Sequence, residues 1–360
     1  MRGWAGEVRG LGACGGGAGA KRADSGGVGG APELAAAAPR WGRFGLPPSG
    51  TRRLGRHETI SGVPVLTYLG PEGTFTHQAA QDLARAGEDL VPRGSVPEVV
   101  QSVESGDAQA GVVAFENSLE GPVPANLDEL LLGTERCVIA GERVLTVSFT
   151  LFRASDDQSP LRGVSSHPFG LAQCSRFIAD RGLQTRRALS TAGACRELAR
   201  SPCCGWGAIG PALAGDLYGL RREADQLENE RAATRFVVLR TSCLPPTGKD
   251  RSAFSFRPSH DEPGSLVRLL EQFSLRDINL TAIKSRPTKE LLGEYIFYIE
   301  CEGHIADERL RDAVTGTLRF RSKSRFLGSF PEDPGRPPHH ERGGADVPRA
   351  YRQMLAKVSP

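Results

Sequence analysis

Short apolar runs alternate with helix-like segments from Val63 to Ser242, and this alternation begins a second time halfway along the segment. The run VPVLTYLG is typical of a buried strand, and FTHQAAQDLARAG, which follows it, has apolar residues at helical spacing. A second series of the same kind begins with LRGVSSHP. Strands that alternate with helices predict an α/β fold with a mostly parallel sheet. We expect the two halves to meet at a cleft, where ligands bind near strand ends and helix N-termini.

A smaller unit follows a Pro-containing linker at residues 243–251. Its apolar pattern predicts the element order βαββαβ over residues 252–331, which is the ferredoxin-like arrangement. We expect residues 332–360 to form a flexible tail, since this segment is rich in Pro, Gly and His.

The first 62 residues consist largely of Gly, Ala and Arg and show no apolar periodicity. Such a segment buries too little apolar surface to offset its ordering entropy, so residues 1–62 are predicted to be a disordered extension. This segment carries nine Lys and Arg against four Asp and Glu, whereas the remaining 36 basic and 38 acidic residues give a net charge of −2. A nearly neutral folded part lacks the basic surface of a nucleic-acid-binding protein, so we expect no nucleic-acid partner.

No apolar run reaches the length of a membrane-spanning helix, so we expect no membrane association. The eight cysteines form no CxxC pair and do not lie at zinc-site spacing from histidine. We interpret them as reduced thiols of a cytoplasmic protein.

Polar residues stand at the ends of several predicted strands. These segments are GPEGTF, FENS, SHP and STA, and the residues TRF open a further strand. A turn that leads into a helix exposes backbone N–H groups and a helix N-terminus, both of which attract anions. Taken singly, each segment has an ordinary alternative as a tight turn, a helix cap or a strand edge.

The order and spacing of these segments resemble the prephenate dehydratase family. The matching motifs are GPEGTF, FENS followed by LEG, SHP with Gln-Cys after four further residues, STA, and TRFVVL. The unit after Lys249 resembles the ACT regulatory domain of those enzymes, through PGSL (263–266), NLT (279–281) and KSRP (284–287). The resemblance extends over about residues 63–331.

This resemblance implies a carbon–oxygen lyase that converts prephenate, a cyclohexadiene with two carboxylates and a hydroxyl, into phenylpyruvate, CO₂ and water. It implies a two-lobed catalytic domain like that of periplasmic binding proteins, with no metal and no organic cofactor. It also implies an ACT domain that binds L-phenylalanine as an inhibitor and pairs with a second copy in a homodimer or homotetramer.

Carried over residue by residue, the resemblance assigns the essential threonine to Thr234, which we expect to donate a hydrogen bond to the departing hydroxyl. Because side chains alternate along a strand, Arg235 is predicted to point away from the cleft and to form a structural pair. The residues expected to bind substrate are Thr74, Glu116, Asn117, Ser118, Ser166, His167, Gln173, Ser190, Thr191 and Phe236. The residues expected to bind the effector are Gly264, Ser265, Leu266, Asn279 and Leu280.

Two of these assignments have a qualified role. Glu116 is expected to orient a neighbour or the substrate hydroxyl, since an ionised carboxylate repels the carboxylates of the substrate. For His167, a second acid and a structural histidine at a turn are equally good interpretations.

The sequence departs from the family pattern close to the expected site. Ala114 and Phe115 replace Pro-Ile, Ala232 and Ala233 stand where asparagine often precedes Thr-Arg-Phe, and Lys284 replaces Glu. Two alternatives therefore stay open. One is an arogenate dehydratase, with the same chemistry on the aminated substrate, and the other is a non-catalytic phenylalanine-binding homologue.

Overall fold

The computed structural model describes residues 63–258, 262–319 and 323–335. The predicted disordered extension at residues 1–62 lies outside the described residues, as do residues 336–360 of the predicted tail. The described residues form three sheets, each with helices packed on it.

The elements fall into three groups along the chain. The first comprises β1 (Val65–Leu69), α1 (Phe75–Leu83), β2 (Asp89–Arg93), α2 (Val96–Ser105), β3 (Ala110–Asn117), β4 (Gly121–Pro122), α3 (Pro124–Asp128) with a π-helical turn (Glu129–Gly133), and β5 (Val138–Val147). The second comprises β6 (Thr150–Arg153), β7 (Gly163–Ser166), α4 (Pro168–Gln173), α5 (Ser175–Asp180), β8 (Gln184–Arg187), α6 (Thr191–Arg200), β9 (Trp206–Gly210), α7 (Ala212–Leu217), β10 (Arg221–Ala224) and β11 (Ala232–Arg240). The third comprises β12 (Asp250–Arg257), α8 (Ser265–Ser274), β13 (Leu280–Pro287), β14 (Tyr295–Glu302), α9 (Glu308–Leu318) and β15 (Lys323–Pro331).

Two sheets form the two lobes of the larger domain. The sheet of lobe 1 has the order β2-β1-β3-β11-β5, and β1 runs parallel to both of its neighbours. The sheet of lobe 2 has the order β10-β6-β9-β7-β8, and β7 runs parallel to both of its neighbours. The α/β fold with two lobes is therefore confirmed.

The predicted mostly parallel arrangement needs a correction, because both sheets are mixed. In lobe 1, β11 runs antiparallel to β3 and to β5, and in lobe 2, β6 runs antiparallel to β9. The chain leaves lobe 1 after β5 and returns from lobe 2 as β11. Because β11 returns antiparallel to its neighbours, it needs no helical crossover packed on the lobe 1 sheet. A strand parallel to its neighbour would need one.

The C-terminal domain has a four-stranded antiparallel sheet in the order β13-β14-β12-β15. This arrangement confirms the predicted βαββαβ element order. Phe254 and Phe256 of β12 pack with Ile299 of β14 against α8 and α9. The alternate residues Tyr298 and Glu300 of β14 lie on the other face of the sheet and contact lobe 1.

Strand β15 packs along β5 of lobe 1, and Gly328 lies at this contact. Its φ is 130°, and a Cβ atom there would come within 2.7 Å of the amide nitrogen of Ile139 and overlap its carbonyl oxygen. Only glycine allows the two backbones to approach so closely.

We expect Gly328→Ala to lower the free energy of unfolding by about 3 kcal/mol, because the overlap with Ile139 is added to the strain of a positive φ. Gly293→Ala is the matched control in the same domain, since Gly293 has a φ of 90° and open space around the Cβ position. The control variant should lose about 1 kcal/mol. Urea denaturation measures both losses, and equal losses would contradict a close contact at Gly328.

Candidate active site

A cleft of about 1390 Å³ lies between lobe 1 and lobe 2, and residues of both lobes line it. Seven of the eleven residues predicted for catalysis and substrate binding are among the lining residues. These seven are Thr74, Asn117, His167, Ser190, Thr191, Thr234 and Phe236. The sequence segments that carry them are far apart in the chain, and the two-lobed fold brings them to one site.

Thr234 lies near the start of β11, opposite Asn117 at the end of β3. The Nδ2 atom of Asn117 donates a hydrogen bond of 2.9 Å to the Oγ1 atom of Thr234, and both residues are buried. The Oδ1 atom of Asn117 accepts the backbone N–H groups of Leu119 at 2.9 Å and Glu120 at 3.3 Å, which fixes the orientation of the amide. Since Thr234 accepts from Asn117, its own hydroxyl proton remains available to a ligand in the cleft.

Ser118 joins the end of β3 to the start of β11. Its backbone N–H donates to the carbonyl oxygen of Ala233 at 2.8 Å, and its Oγ accepts the N–H of Ala233 at 2.9 Å. Ser118 is not one of the residues lining the cleft. It therefore holds the residue before Thr234 in place, whereas the sequence predicted a direct contact with substrate.

The turn between β1 and α1 forms part of the lobe 1 side of the cleft. Thr74 caps α1, because its Oγ1 accepts the N–H of His77 at 3.2 Å and donates to the carbonyl oxygen of Pro71 at 3.0 Å. His77 in turn accepts the N–H of Gly73 on its Nδ1 atom at 3.0 Å. Gly73 has a φ of 82°, a conformation that favours glycine.

Two helix N-termini form the opposite side of the cleft. Ser190 caps α6 by accepting the N–H of Gly193 at 2.9 Å, and Thr191 is the first residue of that helix. His167 caps α4 by accepting the N–H of Phe169 on its Nδ1 atom at 3.2 Å. In the neutral form of His167 the ring proton is therefore on Nε2. Exposed N–H groups and the helix dipole make the start of α6 favourable for a carboxylate.

The profile of the family "Prephenate dehydratase" matches residues 66–243 of this chain. A prephenate dehydratase of Amycolatopsis methanolica is 38% identical over 271 residues, which cover 74% of this chain and 88% of that protein. The chain belongs to the prephenate dehydratase family.

Solved structures of related proteins agree with this fold. A prephenate dehydratase of Arthrobacter aurescens, crystallised in complex with L-Phe, is 30% identical, has a TM-score of 0.69, and is matched over 82% of this chain and 98% of its own. The protein GqqA, described as a novel type of quorum quenching acylase, is 26% identical with a TM-score of 0.66 and is matched over 75% of this chain and 98% of its own. Most of this chain therefore shares its fold with a prephenate dehydratase and with a protein described by a different activity.

Two residues that the family motifs suggested for substrate, Ser166 and Gln173, do not line the cleft. The Oγ atom of Ser166 is buried and donates to the carbonyl oxygen of Ile209 at 2.6 Å, which ties β7 to β9. Gln173 is the last residue of α4, and its backbone carbonyl accepts the N–H of Asn229 at 2.7 Å. In this prephenate dehydratase family member both residues therefore make hydrogen bonds within lobe 2.

Glu116 was predicted among the substrate-binding residues and was expected to orient a neighbour or the substrate hydroxyl, but it is not one of the residues lining the cleft. Its carboxylate lies on the face of β3 opposite Asn117, because neighbouring side chains of a strand point to opposite faces. There Oε1 is 3.1 Å from the Nζ atom of Lys284, and Oε2 is 3.7 Å from Nη1 of Arg235. Glu116 is thus a contact to the C-terminal domain.

Arg235 forms the structural pair that strand alternation predicted. Its Nε is 2.6 Å from Oε2 of Glu142, and its Nη1 is 2.7 Å from Oε1 of Glu300. Burial by itself raises the pKa of Glu300. Arg235 and the hydroxyl of Tyr298 lower the pKa by more than burial raises it, so the net direction is downward. Glu300 is therefore ionised at neutral pH and pairs with the guanidinium.

Sequence reasoning missed three arginines of the cleft lining, Arg93, Arg196 and Arg200. Arg93 lies on β2, a strand that the sequence pattern did not predict, and its buried Nε has no hydrogen-bond partner among the described residues. Arg196 and Arg200 lie one helical turn apart on α6 and Gly193 lies one turn before Arg196, so helical spacing places these three lining residues along one face. None of the three forms an ion pair within the described part of the chain.

The residues predicted to bind the effector are not brought together within one chain. Gly264, Ser265 and Leu266 lie at the N-terminal end of α8, whereas Asn279 and Leu280 follow its C-terminal end. A helix of 10 residues is about 15 Å long, so the two groups lie at opposite ends of one helix. The Nδ2 atom of Asn279 donates to Glu302 at 2.8 Å.

Three further features concern cofactors, membranes and thiols. Within the described residues, no group of three or more His, Cys, Asp or Glu side chains is arranged to hold a metal ion. In the same part of the chain, no helix is long and apolar enough to cross a bilayer. The seven cysteines that the structure describes are free thiols, and burial raises the pKa of Cys137 to about 11 and that of Cys174 to about 12.

The His77 ring, which accepts the N–H of Gly73 in the turn between β1 and α1, is held in its neutral form. It is buried and stacks on the ring of Tyr68 with the centroids 4.8 Å apart. Burial lowers its pKa from the ordinary 6.5 and outweighs the opposite effect of the Glu72 carboxylate. A neutral ring keeps Nδ1 free to accept from Gly73.

We expect the free energy of unfolding to fall as the pH is lowered from 7.5 to 5.5. The unfolded chain takes up a proton at His77 near pH 6.5 and the folded protein only at lower pH, so protonation favours unfolding in this window. In His77→Gln the amide oxygen accepts from Gly73 without titrating, and the loss between these two pH values should shrink. Denaturant unfolding at both pH values measures it. An unchanged pH dependence in the variant would remove His77 from this role.

Proposed function

We propose that the cleft between the lobes catalyses the decarboxylating dehydration of prephenate to phenylpyruvate, CO₂ and water, and that Thr234 is the residue that assists the leaving hydroxyl. The observation that carries this assignment is the Asn117–Thr234 hydrogen bond at the cleft wall, in a chain of the prephenate dehydratase family. Family membership supports the reaction, and the geometry of this pair supports the role of the residue.

The reaction sets two tasks for the protein. The bond between the ring and its carboxylate breaks and releases CO₂, its electron pair enters the ring, and the hydroxyl leaves on the opposite carbon. The departing hydroxide takes up one proton and becomes water, so the reaction consumes one proton overall. The protein must hold a dianion in the correct orientation and must stabilise the leaving oxygen.

Thr234 meets the second task as a positioned hydrogen-bond donor. Asn117 occupies an acceptor position of the threonine oxygen, so the hydroxyl proton is directed away from Asn117. A threonine hydroxyl is too weak an acid to protonate hydroxide by dissociation near neutral pH. Its contribution is a hydrogen bond that strengthens as negative charge develops on the leaving oxygen.

The first task falls to the start of α6 and to the three arginines. The N-terminus of α6 offers backbone N–H groups beside Thr191, and Arg196 and Arg200 follow on the same helix. Arg93 lines the same cleft from lobe 1. One carboxylate on each side of the cleft would place the substrate across it, within reach of Thr234.

Thr234→Ala should lower kcat/KM for prephenate by at least about 10²-fold, because the variant loses the donor to the leaving oxygen. Thr234→Ser keeps a hydroxyl at the same place and should stay within about tenfold of the wild type. Phenylpyruvate, read by its ultraviolet absorbance in alkali, measures the rate, and circular dichroism checks the fold. A Thr234→Ala variant with wild-type turnover would remove this residue from the mechanism.

The charges of the cleft favour prephenate over arogenate. Prephenate carries two carboxylates and no cation, whereas arogenate carries an ammonium group that arginines repel. The lining contains three arginines against the carboxylates of Glu72 and Glu120. A dianion is therefore better matched to this cleft than the aminated substrate.

We expect kcat/KM to be at least about tenfold higher for prephenate than for arogenate, and Arg93→Gln to reduce this preference mainly through KM for prephenate. Both substrates are compared at equal ionic strength with wild type and variant. Arg85→Gln, a change in the exposed loop after α1 outside the lining residues, is the control. Higher kcat/KM for arogenate would favour the arogenate dehydratase, and no turnover of either substrate would favour the non-catalytic homologue.

Phenylalanine is proposed as the effector of the C-terminal domain. Its support is the Arthrobacter aurescens relative, which was crystallised in complex with L-Phe. The two groups of predicted effector residues lie at opposite ends of α8, so a complete site from both groups requires a second copy of the chain. This placement supports a homodimer or homotetramer, and the free thiols support a cytoplasmic location.

A further inference from the structure

Arg235 follows Thr234 directly and points to the C-terminal domain. Its side chain is 6% exposed, so the guanidinium is nearly withdrawn from water. A buried charge is tolerated only when it is paired and hydrogen-bonded. The partners of Arg235 therefore bear on the position of the residue before it.

The two close partners of Arg235 come from different domains. Glu142 belongs to β5 of lobe 1 and is 2.6 Å from Nε, whereas Glu300 belongs to β14 of the C-terminal domain and is 2.7 Å from Nη1. The Glu300 side chain is fully buried, and the hydroxyl of Tyr298 donates to it. Arg235 thus has one carboxylate from each side of the domain junction.

The pairing of β3 with the strand that carries Thr234 is irregular at this place. The register between β11 and β3 is regular at Thr234 and Arg235 and shifts directly afterwards, between Arg235 and Phe236. The extra residue is Phe115 of β3, and at such a bulge the ladder of backbone hydrogen bonds is interrupted and the strand with the extra residue bends. Since β11 pairs with β5 in regular register from Ala232 to Val238, the side-chain contacts of Arg235 and Glu116 carry part of the task of fixing β3 against β11.

A second contact reaches the partner of Thr234. The Nζ atom of Lys284 on β13 is 3.1 Å from Oε1 of Glu116, and the two side chains are 11% and 30% exposed. Glu116 stands opposite Arg235 in the strand pairing and directly before Asn117. Both members of the Asn117–Thr234 pair therefore have a chain neighbour held by the C-terminal sheet.

We propose that Glu300 is a positioning residue for the reaction in the cleft, since it holds Arg235 and thereby fixes the Thr234 hydroxyl. Lys284 assists by holding Glu116 beside Asn117. The inference rests on the proposed function. It makes the C-terminal sheet a part of the catalytic geometry in the absence of any effector.

The test is Glu300→Gln in the full chain, with prephenate as substrate and no phenylalanine. The amide keeps the shape of the side chain and removes its charge, so Arg235 loses one of its two close carboxylates. We expect kcat to fall at least tenfold with KM within twofold, because Thr234 acts on the leaving group in the transition state. In a Thr234→Ala background the same change should cause no further loss, since the positioned group is absent.

Arg325→Gln is the matched control at the same domain junction. Arg325 on β15 donates to the carbonyl oxygens of Leu130 at 2.9 Å and Cys137 at 3.1 Å, away from Thr234. Its kcat should stay within twofold of the wild type. Equal losses in both variants, or an equal loss from Glu300→Gln with and without Thr234, would show a general docking role and overturn the proposal.

If Glu300→Gln does not fold, Lys284→Gln tests the proposal instead. The Lys284 side chain is 11% exposed and that of Glu300 is fully buried, so the lysine change disturbs the folded protein less. We expect kcat to fall about threefold with KM unchanged, and no further loss in the Thr234→Ala background. Wild-type kcat in Lys284→Gln would overturn the proposal. An active wild type with an insensitive Glu300→Gln variant contradicts this proposal alone, whereas a wild type without prephenate turnover contradicts the proposed function and this inference with it.

Discussion

Strand β11 returns from lobe 2 and lies between β3 and β5, and the candidate site depends on this pairing. Asn117 and Thr234 are 117 residues apart in the sequence, and only the pairing of β3 with β11 brings their side chains within 2.9 Å. The same strand also joins β3 to β5 in the lobe 1 sheet, although it follows lobe 2 in the sequence. The lobe 1 sheet and the Asn117–Thr234 pair therefore depend on the same strand pairing.

The period of two in a β-strand explains which roles could be read from the sequence. Thr234 was expected to face the cleft, and alternation then correctly placed Arg235 on the other face. The same rule applies to Glu116 and Asn117, but the prediction assigned both to substrate because the pairing partner of β3 was unknown. Once Arg235 is known to stand opposite Glu116, their shared face follows directly.

Other parts of the site could not be predicted, because they depend on contacts between distant segments. Strand β2 has only five residues and includes a proline, so its sequence DLVPR carries little strand signal, and Arg93 was missed with it. The direction of β11 is a property of the return from lobe 2, which no local pattern encodes. The βαββαβ order of the C-terminal domain was predictable because each of its elements has its own apolar period.

The junction between lobe 1 and the C-terminal domain buries charges where apolar side chains would serve stability equally well. Apolar contacts of similar volume tolerate small shifts, whereas the ion pairs of Arg235 at 2.6 Å and 2.7 Å require each carboxylate at a defined place. Because the two carboxylates belong to different domains, a displacement of the C-terminal sheet separates Arg235 from Glu300 and leaves only Glu142 close to it. The pairing of β3 with β11 is least regular directly after Arg235, where the register shifts. We interpret the buried charges as the reason that one arrangement of the two domains is preferred over its near alternatives.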